Sequence, residues 1–158
     1  MNLFNNFQEM PVELPEVYIS NLTSNFSNHT NNLTFLEIIH SRKDSYSISN
    51  TVGNFSFSMI LRSQFLGHYS FRVLDFSYNI SIYPVLFNIE GDIAAELGVR
   101  ENSFTGEFIY ECQDENEIIK LLSRIFSSQK FNNSVSGLMR LSAHYANRDK
   151  ENGYGFAP

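Results

Sequence analysis

Histidine is the residue type in this chain that most often carries metal or proton chemistry. The four histidines are His29, His40, His68 and His144. No two of them lie three or four residues apart, so no single helix presents a pair to one metal ion. The single cysteine also excludes a zinc site built from several thiolates. We therefore expect no metal and no cofactor.

Cys112 is the only thiol in the chain and hence the only candidate cysteine nucleophile. A helix predicted to begin at Asp114 follows it closely, and a helix dipole can lower a thiol pKa. However, Glu111, Asp114 and Glu115 surround it in sequence, and negative neighbours favour the protonated thiol. We therefore expect a buried structural cysteine on the apolar face of a strand.

Motifs for nucleotide binding and acyl transfer are missing from the sequence. It contains no GxGxxG, no Walker loop and no GxSxG elbow. Paired carboxylates are present, but a catalytic pair needs two different environments, which spacing alone does not reveal. The sequence therefore assigns no catalytic residue, and we expect a protein that is not an enzyme.

Aromatic residues on neighbouring predicted strands form a candidate recognition surface around one histidine. These residues are His68, Tyr69, Tyr78 and Tyr83. Tyrosine is common in binding surfaces because it combines a large contact area with a polar tip. The alternative is that the tyrosines are half-buried residues of the sheet.

Negative charge is concentrated in one part of the chain. The formal net charge is −6, and the stretch from Glu90 to Glu117 holds nine acids and one base, Arg100. An acidic face of this kind would steer a basic partner onto the domain. The candidate partner-binding residues are Glu101, Glu107, Glu111, Asp114, Glu115 and Glu117.

Two further considerations bear on that acidic stretch. Asp92, Asp114, Glu115 and Glu117 fall at predicted helix starts, where carboxylates also serve as caps and complement the helix dipole. The bases elsewhere are scattered, so the sequence lacks the basic stripe typical of nucleic-acid binding. We therefore expect a protein partner and no direct contact with nucleic acid.

The helix with the clearest sequence signals begins at Asp114. Asp114 and Glu117 form a variant of the capping box, and Ile118, Leu122 and Ile125 then fall on one face. A short break over Ser127 to Lys130 precedes a second helix, whose apolar stripe includes Phe131, Val135 and Leu138. Two consecutive helices that are apolar on one side need an apolar surface to cover.

That surface is predicted to be a sheet of alternating apolar residues. Phe55 to Arg62 is the cleanest strand, and Leu33 to Ser41 has apolar residues on both faces, as a central strand does. The alternation of the following strand slips between Val73 and Leu74, which indicates a bulge or burial on both faces. Pro84 favours an edge position or a bulge for the strand that contains it. The predicted strands are 33–41, a short edge strand at 46–48, 55–62, 69–77, 81–89 and 104–112.

The elements together predict an α+β domain. Its sheet is mostly antiparallel with four to six strands, and an N-terminal helix and a C-terminal helical hairpin pack on one face. The N-terminal helix is expected over Leu14 to Ser27, and a two-turn helix capped by Asp92 over Gly91 to Gly98. We expect one domain over 1–146 and a flexible tail over 147–158.

These observations favour a non-catalytic protein-binding module that presents an acidic edge to a basic partner. An immunity, inhibitor, anti-defence or chaperone-like accessory protein of bacterial or phage origin fits this description. The alternatives are a small-ligand binder or unrecognised enzyme with a pocket between sheet and helices, and a structural homo-oligomer such as a homodimer. With no apolar span of about 20 residues and no secretory signal, we expect a cytoplasmic protein that does not enter membranes.

Overall fold

The strands form one five-stranded antiparallel meander, and the helices pack against it. A computed structural model describes residues 1–41 and 53–151, so the edge strand expected at 46–48 lies outside the described residues. The helices are α1 (Pro15–Leu22), a 3-10 helix (Phe26–Thr30), α2 (Gly91–Leu97), α3 (Glu115–Phe126) and α4 (Gln129–Glu151). The strands are β1 (Thr34–His40), β2 (Phe55–Ser63), β3 (Ser70–Tyr78), β4 (Val85–Ile89) and β5 (Ile109–Cys112).

Alternation along the strands gives the sheet one apolar face. Each strand pairs with the next in the chain, so that β1 and β5 form the two edges of the described sheet. Met59 pairs with Leu74 while Ile60 pairs with Arg72, so Val73 is an extra residue in β3. This irregularity agrees with the bulge, one of the two alternatives that the sequence left open between Val73 and Leu74.

The apolar face is covered by the helices, which confirms the predicted α+β class. Met59, Phe76 and Phe87 of the sheet belong to one buried cluster with Ile118, Leu122 and Ile125 of α3 and Leu138 of α4. Burial of each such side chain contributes roughly 1.5–3 kcal/mol. The opposite face carries ion pairs, between Glu37 and Arg62 over 2.7 Å and between Arg72 and Asp75 over 2.8 Å.

Several strand predictions require correction. β1 is an edge strand and not a central one, although its residues are half-buried on both faces. β4 begins after Pro84 and lies in the interior between β3 and β5, so Pro84 marks neither an edge nor a bulge. β5 begins at Ile109 and not at the predicted residue 104. Before it, Phe104 is exposed and Gly106 lies in a turn with a φ of 70°.

The first helix is shorter than predicted. α1 ends at Leu22, and the 3-10 helix follows. Leu14, Val17 and Leu22 are exposed, whereas Ile19 is fully buried. Residues 1–10 precede α1 as an exposed arm without helix or strand.

The helix caps are partly as predicted. The Asp114 side chain accepts a hydrogen bond from the Glu117 N–H over 2.9 Å, which confirms the predicted cap of α3. Gly98 ends α2 at φ 74°, as expected for glycine. The cap at the start of α2 is Glu90, which accepts from Ile93 N–H, and not Asp92. α4 continues past Asn147, the expected start of the tail, to Glu151.

Candidate functional site

The candidate acidic residues lie along the edge strand β5 and on both sides of it in the chain. Glu111 is within β5 opposite Leu86 of β4. Glu101 and Glu107 belong to the segment that leads into β5, and the Asn102 N–H donates to the Glu107 carbonyl over 2.8 Å. Asp114, Glu115 and Glu117 occupy the N-terminus of α3 directly after β5. We call these six residues the acidic edge.

Two members of the acidic edge also hold backbone groups. Asp114 caps α3, and the Glu117 carboxylate accepts a hydrogen bond from the Gln113 N–H. Three acids of the same stretch outside the acidic edge are also engaged. Glu90 caps α2, Glu96 accepts from the N–H groups of Gln129 and Lys130, and Asp92 lies 3.4 Å from the Lys130 ammonium. The structural interpretation of these acids is therefore correct for part of the stretch.

Glu101 and Glu111 are the members of the acidic edge best placed to meet a partner. Both are exposed, and neither carboxylate makes a hydrogen bond or ion pair within residues 1–41 and 53–151. Glu115 is half-buried, and its negative charge contributes to the raised pKa values of two tyrosines, Tyr18 and Tyr83. Five members of the acidic edge therefore fall into three kinds: two that bond backbone N–H groups, two that are exposed, and Glu115, whose charge acts on two tyrosines.

Tyr18 and Tyr83 extend the acidic edge towards α1. Burial, and then the charges of Glu115 and Glu13, raise the pKa of Tyr18. Burial followed by the Glu115 charge raises the pKa of Tyr83 to about 12. The Tyr83 hydroxyl is buried and has no hydrogen-bond partner in the described part of the chain. Sequence reasoning missed Tyr18 and Glu13, because they lie about 100 residues from Glu115.

The predicted aromatic surface is not assembled. His68 and Tyr69 are exposed between β2 and β3, whereas Tyr78 lies at the opposite end of β3. Tyr78 is buried, and its hydroxyl donates to the Glu16 carboxylate over 2.6 Å. Burial, and then this hydrogen bond, raise the pKa of Tyr78. Tyr83 belongs beside the acidic edge and not with His68.

Cys112 is buried in the sheet, as the sequence predicted. Burial, and then the charges of Glu117 and Asp114, raise the pKa of its thiol to about 12. The protonated thiol is therefore the form present at neutral pH. A protonated thiol without solvent access is a poor nucleophile.

A groove of about 300 Å³ lies between α1 and the adjoining ends of β1 and β2. Its apolar surface comes from Val17, Ile38 and Phe57, and its polar groups include Glu16 and His40. The His40 ring packs 4.9 Å from the Phe57 ring, measured between centroids. Sequence spacing carries no signal that Glu16 and His40 line one groove, because only the folded path of the chain brings them there.

Comparisons with known proteins were made by three routes. A scan against protein-family models, a search of curated proteins and a search of solved structures each found no match to this chain. Within the described ranges, no helix has the length and apolar character to cross a membrane. Over the same residues, no group of three or more His, Cys, Asp or Glu side chains is placed to hold a metal ion.

Proposed function

We propose that this protein is a non-catalytic binding module of the cytoplasm whose acidic edge captures a basic surface of another protein. The observation that carries the proposal is the exposed Glu111 in the edge strand β5, with the exposed Glu101 in the segment before it and three further carboxylates at the start of α3. Exposed carboxylates of one sign attract a cationic partner over about 8 Å at physiological salt.

The neighbouring aromatic rings add a second contribution to recognition of a basic side chain. Tyr18 and Tyr83 lie within electrostatic reach of Glu115. A Lys or Arg head group can pair with a carboxylate while its stem packs against a tyrosine ring, and contact with the ring face adds about 0.5–1 kcal/mol at an exposed site. An immunity, inhibitor, anti-defence or chaperone-like role is compatible with such a surface.

Charge reversal tests this proposal without disturbing the helix caps. Glu101→Lys with Glu111→Lys changes the two exposed carboxylates and leaves Asp114 and Glu117 in place. Immobilised protein is used to capture partners from a lysate of cells that encode it, and captured proteins are identified by mass spectrometry. We expect basic proteins to be captured by the wild type, released by salt and lost from the double variant.

The matched control is reversal of an exposed acid outside the acidic edge. Glu9 lies in the exposed N-terminal arm. Glu9→Lys adds positive charge without changing the acidic edge, so capture should persist. Capture that survives reversal of Glu101 and Glu111, or that is lost equally in Glu9→Lys, would refute the proposal.

A second candidate function is small-ligand binding in the groove beside α1. The supporting observation is the combination of the Glu16 carboxylate and His40 imidazole with the Phe57 ring. A carboxylate beside an aromatic surface favours a small organic cation. This groove lies apart from His68, the centre of the expected aromatic surface, which is in the exposed turn before β3.

A thermal-shift titration with primary and quaternary amines separates the second candidate from the first. An amine that binds the folded protein raises its melting temperature. Glu16→Gln should remove that rise, whereas Glu111→Lys should leave it unchanged. No rise with any amine at millimolar concentration would remove the groove as a cation site.

A further inference from the structure

Phe104 is the most exposed aromatic side chain among the described residues, with a relative exposure of 97%. It lies in the segment between α2 and β5, three residues after Glu101 of the acidic edge. Single apolar residues are common on protein surfaces and by themselves indicate nothing. Phe104 differs because the loop around it holds its ring away from the core and beside a carboxylate.

The loop that carries Phe104 is closed by hydrogen bonds between its own residues. The Asn102 N–H donates to the Glu107 carbonyl, and the Gly106 N–H donates to the Asn102 carbonyl, each over 2.8 Å. The Asn102 side chain also accepts a hydrogen bond of 3.0 Å from the Phe104 N–H. Gly106 has a φ of 70°, which glycine adopts without strain. All of these bonds lie within residues 102–107, so the form of the loop does not depend on a distant part of the chain.

The Glu101 carboxylate lies against this loop. A Cβ at Gly106 would be 3.6 Å from a Glu101 carboxylate oxygen, so the Glu101 side chain is folded back towards the loop. Gly106 is two residues from Phe104, and two residues of chain span at most about 7 Å. Within residues 1–41 and 53–151, Glu101 makes no hydrogen bond or ion pair, and the Phe104 ring contacts no other ring or cation. The loop therefore presents a carboxylate and an aromatic ring that are both available to a partner.

We propose that this loop receives an arginine side chain of the basic partner, with the guanidinium stacked on the Phe104 ring and paired with the Glu101 carboxylate. The planar guanidinium stacks on aromatic faces and bonds a carboxylate through two parallel N–H groups. The lysine ammonium is compact and strongly hydrated, so it gains less from the ring. This inference rests on the proposed function, because it names the side chain by which the acidic edge recognises its partner.

The charge around the loop favours a cation over an apolar pocket as the occupant. Glu101 and Glu107 flank Phe104 in the sequence, and Glu111 follows in β5. An apolar pocket that closed over the ring would take water from these carboxylates without replacing it, which is costly. A guanidinium instead compensates their charge. Arg100, the nearest base in the sequence, makes no ion pair or ring contact within the described residues, so it does not fill this position.

Fluorescein-labelled nona-arginine and nona-lysine are matched probes, since they carry the same number of positive charges. Fluorescence anisotropy at physiological salt gives their dissociation constants, and circular dichroism checks the folding of each variant. Phe104→Ala should lower the ratio of arginine to lysine affinity by about two- to fivefold, the gain expected from a ring at an exposed site. Phe104→Tyr keeps a ring and should keep the ratio. Ile80→Ala is the matched control, because Ile80 is 82% exposed in the segment before β4 and outside this loop.

The outcomes separate the arginine site from the proposed function. An unchanged ratio in Phe104→Ala, an equal fall in Ile80→Ala, or no binding of either peptide to the wild type overturns the arginine site. If Glu101→Lys with Glu111→Lys weakens both peptides while Phe104→Ala leaves the ratio unchanged, the acidic edge stands and only the arginine site falls. If that double charge reversal leaves both affinities unchanged, the acidic edge and the arginine site fall together.

Discussion

The Tyr78 hydroxyl donates a hydrogen bond of 2.6 Å to the Glu16 carboxylate, which ties the end of β3 to the first turn of α1. This bond joins residues that are 62 positions apart in the chain. It holds α1 over the sheet and fixes one wall of the groove. Hydrogen bonds to charged groups contribute more to stability than neutral ones.

Tyr78→Phe should lower the free energy of unfolding by about 1.5–3 kcal/mol, because the ring stays buried while the hydrogen bond to a charged group is lost. Urea denaturation measures the change. Tyr110→Phe is the matched control, since the Tyr110 hydroxyl makes no hydrogen bond within the described residues. Combination with Glu16→Gln should be less than additive, and full additivity would show that the two groups do not interact.

Asp114→Ala should cost about 1 kcal/mol of stability through loss of the α3 cap. The Asp114 carboxylate accepts from the Glu117 N–H, whereas the exposed Asn116 in the same turn makes no cap bond. Asn116→Ala therefore serves as the control and should change stability by less than about 0.5 kcal/mol. Equal losses in the two variants would argue against Asp114 as the cap.

Gly53→Ala should destabilise the fold, because a Cβ at residue 53 would lie 2.7 Å from the backbone of Tyr78. Overpacking of this kind costs about 1–3 kcal/mol. Gly67→Ala is the comparison, since nothing lies within 4 Å of the corresponding Cβ. Thermal unfolding distinguishes the two, and a similar melting temperature for both would contradict the close approach of Gly53 to β3.

The free energy of unfolding should fall as pH rises through the alkaline range, because burial raises the pKa of Cys112 from 9.0 to about 12. The folded protein keeps its proton in this interval while the unfolded chain loses it, so the stabilisation is complete below pH 9 and declines towards pH 12. Cys112→Ala should make the decline shallower in urea titrations at successive pH values. An unchanged slope would show that Cys112 does not cause the decline.

Local signals allowed the class of the fold and most of its elements to be predicted. The α3 helix was predictable because Asp114 and the spacing of Ile118, Leu122 and Ile125 act within a few residues of chain. The cap of α2 was predicted to be Asp92 but is Glu90, because two acids so close in the chain offer the same local signal.

Features that depend on the folded path could not be predicted. Apolar residues on both faces of β1 indicated a central strand, because sequence does not show which strand lies beside it. Glu16 and His40 meet in one groove only because α1 crosses the end of β1. Tyr83 was grouped with His68 by nearness in sequence, yet β3 and the turn after it carry it to the opposite end of the sheet.

The sequential order of the strands bears on how the chain folds during synthesis. Each strand pairs with the one made just before it, so the meander can form as the ribosome releases it. α3 and α4 are made after all five strands, and until they emerge Met59, Phe76 and Phe87 lack the part of their cover that these two helices supply. The nascent sheet therefore exposes apolar surface, and is prone to aggregate, for the time needed to translate these two helices. That interval is when chaperone protection matters most.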